Sequence, residues 1–252
     1  MKKWLGSVAL AAMIAGPAMA ADMKVKAKAP PPPPVYDWSG AYVGFNVGGV
    51  WTEVDRFYPN LVGFPQTYSS NGDDGIYGFH AGAQGQWGQF VLGIEAAYSG
   101  CFRECRTTVS LSPVEPLTLA EHKMTNLFTV GPRLGFAWDR WMIYGTGGYA
   151  AATLKAQYLV AATGLTTAPA LSGASWNDGW FAGTGIEYMV HKGALVDVVL
   201  GAEYQHFDVS SKNAFCFFAS CSPADDDDYR LGAKGDIVRA RLTIKTQGWG
   251  IF

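Results

Sequence analysis

Ala41-Tyr42-Val43-Gly44-Phe45-Asn46-Val47-Gly48-Gly49-Val50-Trp51-Thr52 is the stretch on which the fold turns. Successive side chains of an extended strand point to opposite faces. Here Ala41, Val43, Phe45, Val47 and Trp51 share one face, and Tyr42, Gly44, Asn46, Gly48 and Thr52 share the other. One face suits hydrocarbon and the other suits a polar interior.

Working outward, the same rhythm recurs. Gly75 to Trp87 puts Tyr77, Phe79, Ala81, Ala83 and Trp87 opposite Ile76, His80, Gln84 and Gln86, and Phe90 to Tyr98 puts Phe90, Leu92, Ile94, Ala96 and Tyr98 opposite Val91, Gly93, Glu95 and Ala97. A carboxylate in mid-strand decides between a soluble sandwich and a membrane barrel. An unpaired buried charge costs several kcal/mol in an apolar core, whereas a polar lumen tolerates it. In Phe128 to Ala137 the outward set is Phe128, Val130, Pro132, Leu134 and Phe136, with Thr129, Gly131, Arg133 and Gly135 inward. Pro132 is the weak point because proline lacks a ladder donor. Trp141 to Leu154 is so rich in Gly and Ala that only its length argues for a strand. Gly179 to Tyr188 sends Glu187 inward, Asp197 to Phe207 sends Asp197 and Glu203 inward, and Ile237 to Lys245 sends Arg239, Arg241, Thr243 and Lys245 inward. The cations complement the carboxylates.

The connections are of two kinds in strict alternation. Gly88 and Gln89, Asp139 and Arg140, and His191 to Ala194 are tight, while 54–74, 100–123, 155–177 and 209–235 are long. That order predicts an all-β fold: an eight-stranded antiparallel transmembrane up-and-down β-barrel with short periplasmic turns and four long extracellular loops. Aromatic girdles are expected from Tyr36, Trp38, Trp87, Phe90, Trp138, Trp141 and Tyr188 at one end and from Trp51, Tyr77 and Tyr98 at the other.

Composition agrees. No run of about eighteen apolar residues follows the N-terminal segment, yet 49% of the chain is hydrophobic, so strands must do any spanning. Residues 1–20 combine Lys2 and Lys3, an apolar run from Val8 to Ile14 and Ala18-Met19-Ala20, the pattern of a secretory signal peptide cleaved before Ala21. With 19 Lys and Arg against 21 Asp and Glu, nothing favours nucleic-acid binding. Residues 21–35 carry Lys24, Lys26, Lys28 and the run Pro30 to Pro34 and read as a Lys/Pro-rich periplasmic tether; at about 3.1 Å per residue the prolines project it roughly 15 Å. Residues 36–252 are expected to form the outer-membrane barrel. Cys101, Cys105, Cys216 and Cys221 are disulfide candidates in an oxidising compartment, with three pairings open. Their spacings lack a CxxC, so no metal site is expected.

The tail followed by Tyr36-Asp37-Trp38-Ser39-Gly40-Ala41-Tyr42-Val43-Gly44, together with Arg133-Leu134-Gly135-Phe136-Ala137-Trp138 and Tyr144-Gly145-Thr146-Gly147-Gly148, resembles the Omp25/Omp31-like small outer-membrane protein family of Rhizobiales. The resemblance spans essentially the whole mature chain. It implies an OmpA-like barrel that helps hold the envelope together, with antigenic loops, and a mature Ala-Asp N-terminus joined to peptidoglycan. Ala21 and Asp22 match that start.

The expected function is therefore structural, with outer-membrane lipid, lipopolysaccharide and peptidoglycan as partners and no cofactor. An eight-stranded interior is just wide enough for side chains to fill, so Glu95, Arg133, Glu187, Glu203, Arg239 and Arg241 are expected to form a lumen ion-pair network that plugs it. The alternatives are a narrow porin-like channel lined by those charges and a haemin-binding surface protein using His122, Tyr58, Tyr68 or Tyr229. His80 is expected to be a hydrogen-bonded lumenal side chain. His206, Asp208 and Ser210 share a strand face, but residues so spaced lie about 7 Å apart and lack an oxyanion hole, so no enzyme is expected. Asp225 to Asp228 reads as a solvated charge run.

Overall fold

The alternating segments become eight long strands, with two short ones added. The computed structural model describes residues 36–61, 64–110, 118–160, 173–210, 214–215 and 229–247. The expectations for residues 1–35, Cys216, Cys221 and Asp225 to Asp228 lie outside them. The strands are β1 Gly40–Leu61, β2 Phe64–Trp87, β3 Phe90–Cys101, β4 Arg106–Ser110, β5 Thr118–Trp138, β6 Trp141–Val160, β7 Gly173–Lys192, β8 Val196–Ser210, β9 Ala214–Phe215 and β10 Tyr229–Thr246. Each long strand pairs antiparallel with the next in sequence, and β10 returns to β1 from Lys245 opposite Tyr42 to Arg230 opposite Phe57. The small β4 pairs with β5 and β9 with β10. The result is a closed eight-stranded antiparallel barrel.

The ladder also fixes the stagger. Stepping from Gly44 to His80, Ala97, Thr129, Ala150, Gly179, Val209 and Ala233 leads back to β1 at Val54, ten residues beyond the start. A shear of that size tilts the strands and keeps the bore narrow enough for side chains to fill.

Outward positions form an apolar band. Phe90 is 69% exposed, Leu134 63%, Phe79 61% and Ile94 58%, a continuity that soluble monomers rarely present. Cross-strand aromatic pairs reinforce it: Phe45 meets Phe79 at 5.6 Å, Phe90 meets Phe136 at 5.8 Å and Trp141 meets Tyr188 at 4.6 Å between ring centroids. Gly88 opens the β2–β3 turn at φ +61°, which glycine adopts without a Cβ penalty.

Three sequence expectations need correction, on the long connections, the β7–β8 turn and the girdle, and two open points are resolved, the facing of β6 and the place of Pro132. Strand extends into the stretches read as long loops: β1 runs on to Leu61, β2 starts at Phe64, β5 and β6 pair out to Thr118 opposite Val160, and β7 starts at Gly173. In these stretches the inward face is apolar at Val54, Val209 and Ala233, which are buried in one cluster, so the apolar-out, polar-in contrast that marks a membrane strand is lost. The β7–β8 turn is 193–195. In β6 the even-numbered Met142, Tyr144, Ala150, Ala152 and Leu154 are buried, as is Ala151, while Gly148 is exposed, a facing the Gly/Ala-rich sequence conceals. Tyr36 and Trp38 are buried rather than lipid-facing, so they leave the girdle. Pro132 is accommodated: the β5–β6 ladder passes from Val130 opposite Tyr149 to Arg133 opposite Thr146, and the Thr146 hydroxyl donates to the Pro132 carbonyl at 3.1 Å.

Candidate functional site

The inward residues form three layers. Along β8, Val199, Glu203 and Phe207 follow one another from the short-turn end; along β5, Ala137, Arg133 and Leu127 do the same. Val199 and Ala137 belong to an apolar cluster with Val91, Met142 and Met189, whereas Phe207 and Leu127 belong to a second with Ile76, Phe181 and Ile237. The charged layer lies between the two.

Glu95, Arg133, Glu187, Glu203, Arg239 and Arg241 meet there, none more than 7% exposed. Arg241 reaches Glu95 at 2.5 and 2.8 Å, pairs with Glu203 and approaches Glu187 at 3.5 Å. Arg133 lies 2.6 Å from Glu187 and 3.3 Å from Glu95, and Arg239 lies 2.5 Å from Glu203. Three carboxylates balance three guanidinium groups. Withdrawing each ion from water costs several kcal/mol, which only a network with nearly complete pairing offsets.

Two tyrosines complete the layer. The Tyr42 hydroxyl donates to Glu95 at 2.9 Å and the Tyr144 hydroxyl to Glu203 at 2.5 Å, while the Arg133 guanidinium stacks 3.7 Å above the Tyr144 ring. Tyr42 was readable as inward from the alternation; its partner was not. A separate buried pair, Lys245 with Asp197 at 3.0 Å, sits nearer the short turns. Both members alternate inward, but their pairing follows from register alone, where they stand opposite each other. His80 is buried, with Nε2 2.9 Å from the Thr243 hydroxyl oxygen.

At the short-turn end the chain from Tyr36 to Ser39 folds beneath the lumen, with Trp38 only 1% exposed. Above the charged layer, Cys101 and Cys105 form a disulfide, so these two do not link to the other long connection. Asp74 sits beneath that turn and accepts backbone N–H bonds from Arg103 at 2.7 Å, Cys105 at 3.0 Å and Gly75 at 2.7 Å. Burial raises the Asp74 pKa, but these donors outweigh it and hold the carboxyl below its ordinary range.

The remaining candidates are dispersed. His122 is buried on β5 and not in a surface loop, and the side chains of Tyr58, Tyr68 and Tyr229 lie outside the described residues. His206 turns to Asp236 on the neighbouring strand, 2.9 Å from Nδ1, rather than along its own strand, and the Tyr204 hydroxyl donates to the same carboxylate oxygen at 2.6 Å.

A closed barrel with an apolar outer band, aromatic ends and a filled, ion-paired lumen defines an integral outer-membrane β-barrel protein. The outer membrane protein β-barrel domain family matches residues 8–236. The 31 kDa outer-membrane immunogenic proteins of Brucella melitensis and Brucella suis are each 30% identical to this chain over 220 residues, 81% of this chain and 86% of theirs. The chain thus belongs to the outer membrane β-barrel family, in its Omp25/Omp31 group. Among solved structures it is similar to the outer membrane protein OprG of Pseudomonas aeruginosa, with 10% identity, a TM-score of 0.42 and coverage of 81% of this chain and 96% of that one. It is also similar to the outer membrane protease OmpT of Escherichia coli, with 8% identity, a TM-score of 0.45 and coverage of 84% and 99%.

Proposed function

We propose that this outer-membrane barrel is a structural element of the envelope, with its short turns in the periplasm, its long connections outside the cell and its mature N-terminus at Ala21 and Asp22 joined to peptidoglycan. The observation that carries this reading is the lumen. Six buried, mutually paired charges between two apolar layers suit a rigid post better than a conduit. The orientation follows the usual placing of short turns in outer-membrane barrels, and the described chain begins and ends at the short-turn end. The Brucella relatives are by name immunogenic, which agrees with surface-exposed connections. Lipid and lipopolysaccharide would surround the apolar band, and the proline-rich leader would span toward the wall.

Deleting residues 21–34 should increase outer-membrane blebbing while leaving the barrel folded. Muramidase digestion followed by mass spectrometry should release an Ala21-Asp22 peptide bearing a wall fragment. A wholly free Ala21 amine in cells would overturn the attachment.

A further inference from the structure

We propose that Tyr36 to Ser39 form a strap across the short-turn mouth of the barrel that receives the pull of the N-terminal leader and spreads it over the barrel wall. The inference rests on the peptidoglycan reading above, since only a tethered leader pulls.

The strap is held at both ends and in the middle. At Tyr36, Arg140 of the β5–β6 turn donates Nε to the phenol oxygen at 2.6 Å, and the Lys192 ammonium at the end of β7 lies 5.4 Å from the ring centroid. At Trp38 the indole is buried with Val91, Met142, Met189 and Val199, contributed by β3, β6, β7 and β8. Its backbone is gripped from β2: the Trp38 N–H donates to Gln86 Oε1 at 2.7 Å, and Gln84 Nε2 donates to the Trp38 carbonyl at 2.7 Å. At Ser39 the hydroxyl accepts the Gln86 N–H at 3.0 Å, and Lys245 Nζ donates to the carbonyl at 2.9 Å. Gly40 makes the corner from strap to strand at φ +138°, where any Cβ would run into the Thr246 carbonyl.

This geometry changes how a pull is received. Tension applied directly to β1 would open the ladder from its end, one pair after another, beginning at Gly40 opposite Gln84 and Tyr42 opposite Lys245. With the strap seated, the same tension falls first on contacts from β2, β7, β10 and the β5–β6 turn together. Bonds loaded in parallel yield at higher force than bonds loaded in series. The residues Tyr36-Asp37-Trp38-Ser39-Gly40, which the barrel's own alternation does not require, thereby acquire a role.

The test is single-molecule pulling of the mature chain in a lipid bilayer from a handle on its N-terminus. The expected wild-type trace has a rupture preceding the first hairpin by about 1.4 nm, the extended length of four residues. Trp38→Ala should lose that rupture, and Tyr36→Phe, which keeps the ring but deletes the acceptor of Arg140, should weaken it without disturbing the fold. A wild-type trace without the early rupture, or one that both variants retain unchanged, would overturn the strap. In cells, Trp38→Ala should raise blebbing while the wall-linked Ala21 peptide persists. Absence of that peptide in wild-type cells would instead overturn the tether reading and remove the strap's load.

Discussion

Arg241 and Glu95 meet at 2.5 Å although they stand 146 positions apart in the chain and two strands, β1 and β2, separate theirs in the sheet. The contact crosses the lumen and does not follow the wall. Removing Arg241 leaves Glu95 and Glu203 buried beside each other with half their compensation gone. Arg241→Leu should therefore cost about 3–5 kcal/mol in reversible unfolding from detergent, and Arg133→Leu or Glu203→Leu about 3 kcal/mol. Unchanged heat resistance on gels for all three would count against the network as a stabilising unit.

The apolar layers above and below the charges make a second prediction. Purified protein in planar bilayers should show no steady conductance steps, and Glu95→Gln combined with Arg241→Gln should stay equally silent, because Ile76, Phe181 and Phe207 on one side and Trp38, Met142 and Met189 on the other still fill the bore. Conductance appearing in the double variant alone would assign closure to the ion pairs.

The Cys101–Cys105 ring is small, with a sequence separation of 4. On a chain-entropy basis its loss should cost about 2 kcal/mol. Replacing both cysteines by serine should lower the unfolding midpoint modestly without altering the barrel's β-sheet circular dichroism. A variant with wild-type stability under oxidising conditions would show that the ring contributes little.

Asp74 contributes a pH dependence of its own. Its folded pKa is depressed, so its contribution is present above the unfolded value near 3.9 and is lost as pH falls through the lower folded value. Asp74→Asn should destabilise by about 1–3 kcal/mol at neutral pH, by weakening the acceptor for Arg103, Cys105 and Gly75. The difference from wild type should hold down to about pH 5 and shrink below about pH 4. Denaturant curves across that range would detect it, and a gap that widens on acidification would refute the assignment.

What the sequence determined by itself was which way each side chain points inside the membrane. Alternation is a local property: Phe45 and Asn46 differ in their surroundings because neighbouring residues of a strand must face opposite ways, and hydrocarbon on one side keeps that contrast sharp. Where the contrast disappears, the strand was hidden in 54–61 and 64–74 and the facing was hidden along the Gly/Ala-rich β6. Tyr36 and Trp38 misled for a related reason, since an aromatic at a strand end looks the same whether it meets lipid or turns under the lumen.

Only the tertiary structure decided who meets whom. The grip of Arg241 on Glu95 and Glu203, the pair of Lys245 with Asp197, and the seat of Trp38 depend on a ring that returns to β1 ten residues beyond its start. Shear and closure belong to the whole sheet, and no window along the chain contains them.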